Sequence, residues 1–147
     1  MADELVPGFV NHLRLSVRDI DASARFYDPL MRCLGCAPEP RDDGWRAWGT
    51  ADATGRMQWL ILTPAAPEHA GLRHTYLAPG LHHVAFNARD RAHVDEVHDV
   101  LLGQGAEIIE APSEYDEEPD CYAVFFRDPD GFKVEVLHVR LTPRGSG

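Results

Sequence analysis

Two segments of the chain repeat one pattern at a spacing of 71 residues, from His12 to His83. Histidine opens each segment, Arg-Asp closes it, and apolar residues occupy alternate positions between. The segments read HLRLSVRD over residues 12–19 and HVAFNARD over residues 83–90. Self-similarity of this kind indicates a duplicated structural unit, and a unit this small needs a second copy to cover its sheet. The repeat therefore predicts two half-domains instead of one undivided core.

The same order of elements follows each repeated segment. Apolar residues at helical spacing predict a helix in each half, ending near Gly35 and near Gly105, because glycine commonly ends a helix. Strand-like stretches come next, and a weaker one at 37–39 contains Pro38. The clearer strands are predicted at 45–49, 57–63, 106–109, 121–127 and 132–138.

This order predicts an α+β fold built from two βαβββ modules. The first module covers residues 8–63 and the second residues 81–140. A proline-rich linker at 64–80 separates them, and a tail at 141–147 lies outside the fold. Because sheet edges and module pairs need covering, we also expect a homodimer.

Charge and composition exclude several classes of binding partner. The 147 residues carry a formal net charge of −10, which argues against nucleic acid or an anionic membrane surface as the main partner. No apolar run approaches the roughly 20 residues of a membrane span. Three cysteines cannot form a closed disulfide framework, so we expect a reduced, cytoplasmic protein. A small molecule is the expected partner.

Strand alternation sorts the polar residues by face. In the first repeat, His12 and Arg14 lie opposite the leucines of the core face, and His83 takes the matching place in the second. Glu135 lies between Val134 and Val136 and so also points away from the apolar side. A buried carboxylate there would cost several kcal/mol without a partner.

Two histidines and one carboxylate on converging strands predict a divalent metal site made of His12, His83 and Glu135. Such a set leaves coordination positions open for substrate. Two other interpretations stay open on the residues alone. The histidines would hydrogen-bond to backbone at the edge of the core, or Glu135 would pair with Arg14.

Three stretches resemble the vicinal-oxygen-chelate superfamily, which includes glyoxalase I, extradiol dioxygenases, fosfomycin-resistance enzymes and bleomycin-resistance proteins. They are NHLRLSVRDIDASARFY at 11–27, HVAF at 83–86 and FRDPDGFKVE at 126–135. The resemblance implies paired βαβββ modules that form a cup-shaped mixed sheet around one divalent ion. His12, His83 and Glu135 match three ligand positions of the family, and the ion would be Fe²⁺, Mn²⁺, Ni²⁺ or Zn²⁺.

Departures from the family's patterns discriminate among its members. Glyoxalase I enzymes usually carry a fourth ligand where this chain has Ile61, so Glu135 would have to be both ligand and catalytic base. Extradiol dioxygenases need a tyrosine where this chain has Phe125 and a histidine near residues 116–118, which read Asp-Glu-Glu. Both of these activities are therefore disfavoured, although Tyr122 lies close to the tyrosine position. Fosfomycin-resistance enzymes carry a small hydroxyl residue where this chain has Arg14.

Residues outside the proposed ligand set have predicted roles as well. Arg14 is expected to bind a substrate carboxylate, and Ile61 and Phe125 to form an apolar wall of the pocket. Cys33 and Cys36 form a C-x-x-C at a helix C-terminus, where the helix dipole does not activate a thiol.

The remaining histidines are not expected to bind metal. His93 and His98 lie five residues apart on the second helix and are expected to be solvated, since they do not share a face. His82 has the opposite parity to His83 and is expected on the core side or at its edge. The acidic run at 114–120 is expected to be a solvated loop, with a lid over the pocket as the other interpretation.

Two functions of different kinds follow. The first is a glyoxalase-like metalloenzyme of lyase, isomerase or dioxygenase type, which binds a small substrate through adjacent oxygens, with Glu135 catalytic. The second is a non-catalytic protein that binds a small molecule or drug, similar to bleomycin-resistance proteins, with the acidic charge attracting cations. A structural relic of the fold without either activity is the third hypothesis.

Overall fold

The computed structural model of the protein describes residues 10–115 and 120–140. The chain divides between Arg73 and His74 into an N-terminal unit and a C-terminal unit. The N-terminal unit contains β1 (His12–Val17), α1 (Ile20–Cys33), β2 (Ala37–Glu39), β3 (Arg46–Ala51), β4 (Met57–Pro64) and a short 3-10 helix (Pro67–His69). The C-terminal unit contains β5 (Val84–Asn87), α2 (Arg91–Gly103), β6 (Glu107–Glu114), β7 (Cys121–Arg127) and β8 (Lys133–Val139).

The two units share one topology, which confirms the predicted α+β fold of repeated βαβββ elements. Each holds a four-stranded mixed sheet, ordered β1-β4-β3-β2 in one and β5-β8-β7-β6 in the other. The first strand of each unit pairs in parallel with the last, and the remaining neighbours are antiparallel. The helix between the first and second strands packs on one face of its own sheet.

The Arg-Asp pair closes each repeated segment because the aspartate begins the helix. Asp19 accepts hydrogen bonds from the backbone N–H groups of Asp21 and Ala22, and Asp90 accepts one from that of His93. These backbone donors hold the pKa of both carboxyls below the usual range. At the other helix ends, Gly35 and Gly105 adopt positive φ, as predicted from glycine in a C-terminal cap.

The helix-side face of each sheet carries the apolar core. In the N-terminal unit, Leu15 and Leu62 are register partners, and both are buried. Trp48 lies on the same face, where its indole N–H donates to Asp28 of α1 over 2.9 Å. In the C-terminal unit the fully buried valines of this face are Val124, Val134 and Val136 in the sheet, and Val94 and Val97 on α2. The opposite face carries His12 and Arg14 in the N-terminal unit and Glu135 in the C-terminal unit, where it also holds the buried Phe125.

The Asp-Pro-Asp-Gly segment forms the turn between β7 and β8. The Asp128 carboxylate accepts from the backbone N–H groups of Asp130 and Phe132, and Gly131 has φ of 88°. Glycine is needed there because a side chain is strained at that φ. The turn sets the β7–β8 register that pairs Phe125 with Glu135.

Several sequence predictions need correction. The strand predicted at 106–109 is the longer Glu107–Glu114, with irregular register against β7. By contrast, the weaker strand predicted at 37–39 is confirmed; Pro38 is tolerated because this strand lies at the edge of its sheet, where a missing N–H needs no partner. His93 was predicted to be solvated but is only 4% exposed. Its side chain turns back toward the start of its own helix, where Nδ1 accepts the Arg89 backbone N–H, as in a capping box.

Residues 116–119, which contain most of the acidic run, lie outside the described part of the chain. So does the tail at 141–147. Within the described ranges, neither helix is long and apolar enough to cross a membrane.

Candidate functional site

His83 and Glu135 lie together in the C-terminal unit. Glu135 is in the middle of β8, and its neighbours Val134 and Val136 face the helix. Its own side chain consequently lies on the opposite face, beside register partners Ala85 and Phe125. His83 immediately precedes β5, and its Nε2 is 3.2 Å from Oε2 of Glu135. The structure thus brings together two of the three residues predicted to bind metal.

The burial of this pair determines its chemistry. The Glu135 residue is 8% exposed, whereas a third of the His83 side chain is accessible. A carboxylate so buried needs a hydrogen-bond donor or a cation, and the imidazole meets that need. The same two atoms, an imidazole nitrogen and a carboxylate oxygen, are ligands that divalent transition metals accept. The donor set present therefore suits the group that the sequence predicts.

Phe125 and a cluster of apolar residues lie on the same face as Glu135. Cys121, Ala123 and Phe125 alternate along β7 and are all buried. The Phe125 ring meets the His83 ring edge to face, with 6.1 Å between their centroids. Phe125, which the sequence predicts to form an apolar wall of the pocket, thus contacts the imidazole of His83.

Lys133 adds a cation that the sequence analysis missed. Its Nζ lies 4.7 Å from the centroid of the Phe125 ring and 5.1 Å from that of Tyr76. Lys133 precedes Glu135 by two residues on β8, so both side chains are on one face. The same parity that selected Glu135 would have selected Lys133, had the strand been read for cations as well as ligands.

His82 contacts His83 directly, which corrects its predicted place on the core side. The two Nδ1 atoms are 2.7 Å apart, and His82 is exposed. Its ring also meets Tyr76 edge to face at 5.1 Å. Strand alternation failed here because both histidines precede β5, where the rule does not apply.

His12 lies in the N-terminal unit. It begins β1 on the exposed face, opposite the buried Leu15 and Val17, as the alternation predicted. Its Nδ1 is 2.8 Å from Oδ1 of Asn11, and its register partner on β4 is Trp59. One interpretation of the sequence was a hydrogen bond between this histidine and the backbone. At Nδ1 the partner is instead the side-chain amide of Asn11.

Arg14 and Ile61 are register partners on the same face as His12. The guanidinium carbon of Arg14 lies 3.8 Å from the centroid of the Trp45 ring, a cation–π arrangement. Ile61 is half-buried. The position where glyoxalase I enzymes carry a further ligand therefore presents an aliphatic side chain to this face.

Trp59 covers Gly49 on this face. The two are register partners on β3 and β4, and a Cβ added at Gly49 would lie 2.4 Å from carbons of the indole ring. Glycine is thus required by the close approach of the ring to the backbone. The face of the N-terminal sheet that carries His12 is lined by two tryptophans, Trp45 and Trp59.

Tyr122 lies on the other face of its sheet. Its hydroxyl donates to Asp95 of α2 over 2.8 Å, and this contact raises the pKa of the phenol. It therefore does not share the face of Glu135 and Phe125. Tyr122 is close in sequence to the position where extradiol dioxygenases carry a tyrosine. Its side chain, however, lies on the helix side of the sheet, away from Glu135.

The cysteines behave as the sequence analysis predicted. Cys33 ends α1 and Cys36 follows it; both are half-buried, and neither is in a disulfide. Burial raises the pKa of the Cys36 thiol, which makes it less nucleophilic at neutral pH.

A cavity of about 520 Å³ in the N-terminal unit lies along α1, β2 and β3. Several of its charged side chains form ion pairs: Arg46 contacts Asp21, Asp28 contacts Arg32 and Glu39 contacts Arg41. None of the residues predicted to bind metal or substrate lines it.

A family model described as the Glyoxalase/Bleomycin resistance protein/Dioxygenase superfamily matches residues 9–136. Among curated proteins, YqjT of Bacillus subtilis is 26% identical over 134 residues, covering 87% of this chain and 97% of that protein.

Solved structures are similar as well. A candidate glyoxalase from Bacillus halodurans has a TM-score of 0.77 and 26% identity, covering 90% of this chain and 96% of its own. A lactoylglutathione lyase from Agrobacterium tumefaciens has a TM-score of 0.60 and 26% identity, covering 90% of this chain and 95% of its own.

Proposed function

Because the chain belongs to the Glyoxalase/Bleomycin resistance protein/Dioxygenase superfamily, we propose that it is a metal-dependent enzyme for a small oxygenated substrate. The observation that carries this proposal is the contact between His83 Nε2 and Glu135 Oε2. The buried carboxylate and the imidazole supply two of the three proposed metal ligands. The repeat supplies the third, a second histidine at the equivalent position.

The ligands in this proposal are His12, His83 and Glu135. Two nitrogens and one carboxylate oxygen suit Fe²⁺, Mn²⁺, Ni²⁺ or Zn²⁺ and leave positions for two adjacent substrate oxygens. When bound, the ion supplies Lewis-acid polarisation of those oxygens. Ile61 offers no fourth protein ligand, which supports a more open site than that of a glyoxalase I.

The chain's own side chains bind and orient the substrate. Lys133 and Arg14 each present a cation held against aromatic rings, and either would pair with a carboxylate or an oxyanion. Phe125 and Ile61 exclude water from the reacting atoms. Glu135 would be both a ligand and the base that accepts a proton from substrate. One base suffices for a single proton abstraction of the lyase or isomerase type, whereas the glyoxalase I reaction, disfavoured above, needs a proton moved between two adjacent carbons.

Ring-opening dioxygenase chemistry fits less well. That activity requires a tyrosine on the face of the metal ligands, and Tyr122 instead hydrogen-bonds to Asp95 of α2. Proton transfer at a substrate carbon needs only the residues already named. We therefore favour the lyase or isomerase class.

A second candidate function is the sequestration of a small aromatic or cationic molecule. The aromatic rings at Trp45, Trp59, Phe125 and Tyr76 favour it, since such rings stack on planar ligands. The net charge of −10 would attract cations. Sequestration of this kind would need no metal.

Metal analysis of the purified protein separates the two candidates. We expect about one equivalent of a divalent metal, or its uptake on incubation with Fe²⁺, Mn²⁺, Ni²⁺ or Zn²⁺. His83→Ala should lose that metal, while His69→Ala, on the exposed 3-10 helix, should keep it. Less than roughly a tenth of an equivalent in the wild type would refute the enzyme proposal.

The state of the protein in the cell is part of the proposal. We expect a cytoplasmic homodimer, because both edges of a four-stranded sheet otherwise expose unpaired backbone groups. A solution mass of twice the 16.4 kDa chain, measured by light scattering, is the expected result. A monomer would contradict the expectation.

A further inference from the structure

The residue before each repeat histidine contacts the same atom of that histidine. Oδ1 of Asn11 lies 2.8 Å from Nδ1 of His12, and Nδ1 of His82 lies 2.7 Å from Nδ1 of His83. Asn11 and His82 occupy equivalent positions in the two copies of the repeat. The two copies therefore hold their histidines through different side chains but at the same ring nitrogen.

The chemistry of imidazole gives this contact a consequence. A neutral ring carries a proton on one nitrogen and a lone pair on the other, and a ring that binds metal through one nitrogen keeps its proton on the other. The amide oxygen of Asn11 only accepts, so Nδ1 of His12 donates to it. The lone pair of His12 is consequently on Nε2.

In the second copy, a histidine in place of the asparagine accepts the hydrogen bond, and the ring has the same tautomer. His83 Nε2 already faces the Glu135 carboxylate, so this is the nitrogen available to a cation. With Nε2 bound, the His83 proton is on Nδ1, and His82 accepts it through its own Nδ1. The ring of His82 is steadied by its edge-to-face contact with Tyr76.

We propose that Asn11 and His82 are positioning residues that present Nε2 of His12 and of His83 to a divalent cation. The inference rests on the proposed function for the cation and adds how the two rings are oriented. Partners of this kind fix the tautomer and angle of a metal-binding histidine, and their loss typically weakens metal affinity by about 10- to 100-fold.

A merely structural role predicts different behaviour. Asn11 and His82 are both exposed, so truncating either removes little packing and should leave the fold intact. The repeat also offers a matched rescue. Asparagine at position 82 would place in the second copy the acceptor that the first copy already uses, whereas phenylalanine keeps a ring without an acceptor.

The test is the affinity of the full chain for Zn²⁺, measured by competition with a chromogenic chelator. We expect His82→Phe and Asn11→Ala each to weaken Zn²⁺ binding by about 10- to 100-fold. His82→Asn should stay within about threefold of wild type, and His69→Phe should be unchanged. Circular dichroism should report the same folded signal for all five proteins.

Equal affinity in His82→Phe and wild type would overturn the role of His82. Equal affinity in Asn11→Ala would overturn that of Asn11. Failure of His82→Asn to recover would show that the acceptor is not what matters.

A wild type that takes up none of Fe²⁺, Mn²⁺, Ni²⁺ and Zn²⁺ refutes the proposed function, and a measurement without metal then decides the inference. Long-range ¹⁵N–¹H spectra of the metal-free protein should show His12 with its proton on Nδ1. Asn11→Ala should shift that proton toward Nε2. An unchanged tautomer in the variant would overturn the inference.

Discussion

Lys133 lies with its Nζ 4.7 Å from the centroid of the Phe125 ring, on the same face of the C-terminal sheet as Glu135. Phe125 in turn is the register partner of Glu135 and contacts the His83 ring. An ammonium group held over an aromatic ring is less hydrated on that side and keeps its remaining donors for another partner. Beside the candidate site, that partner is expected to be a substrate anion.

Lys133→Met should therefore weaken anion binding to the metal-loaded protein. With oxalate as the probe, which offers two adjacent oxygens and two negative charges, we expect roughly a tenfold increase in Kd, the usual size of one charge-assisted hydrogen bond. Isothermal titration calorimetry measures it. Lys133→Arg should bind within a few-fold of wild type. Unaltered oxalate binding in Lys133→Met would show that the ammonium does not face the ligand.

The fold could be predicted because each copy of the repeat contains both a strand pattern and the residue that begins the following helix. Asp19 and Asp90 begin the helices, and the alternation between histidine and aspartate makes each segment a strand with one apolar face. Alternation also identified Glu135 correctly as a carboxylate off the apolar face. These are local rules, and they hold wherever the residues lie inside a regular element.

Contacts outside regular elements could not be predicted in the same way. His82 was misplaced because it precedes β5, and His93 because its side chain turns back to cap its own helix. The contact of Lys133 with Tyr76 depends on where residues 74–80 return to the sheet, which no periodicity encodes. The sequence therefore predicts that His83 and Glu135 share a site, but not the contacts that Lys133 and His82 make around them.

Asp90 should make stability depend on pH. Its carboxylate accepts the His93 backbone N–H, which lowers its pKa below the usual range of an aspartate. A lowered folded-state pKa means that the stabilisation is present above the unfolded-state pKa and is lost as the pH falls through the folded one. Asp90→Ser keeps a capping oxygen without the charge.

The measurement is urea unfolding at pH 7 and at successive values below 4. The difference in unfolding free energy between wild type and Asp90→Ser should shrink as the pH falls, because only the wild type loses a charged cap. A difference that stays constant down to the lowest pH would mean that the carboxylate contributes nothing as an anion. Asp42→Ser, for which no capping contact is seen in the described part of the chain, is the matched control.

Tyr122→Phe should leave the candidate site intact. The hydroxyl bonds to Asp95 on the helix side, so its removal should lower the unfolding free energy by at most about 1 kcal/mol, the usual net value of one hydrogen bond. Zn²⁺ and oxalate affinities should match those of wild type. A variant that lost metal or oxalate binding would place the tyrosine in the site and revive the ring-cleaving assignment.

Gly49→Ala should displace the Trp59 ring from the face that carries His12. The added Cβ would lie 2.4 Å from the indole carbons, so the ring must rotate away or the strands must separate. We expect a shift in tryptophan emission with little loss of secondary structure. Trp59→Phe supplies the reference, because combining it with Gly49→Ala removes the ring that reports the clash. If Gly49→Ala still shifted the emission in the Trp59→Phe background, the change would come from another tryptophan and the close approach would not be its cause.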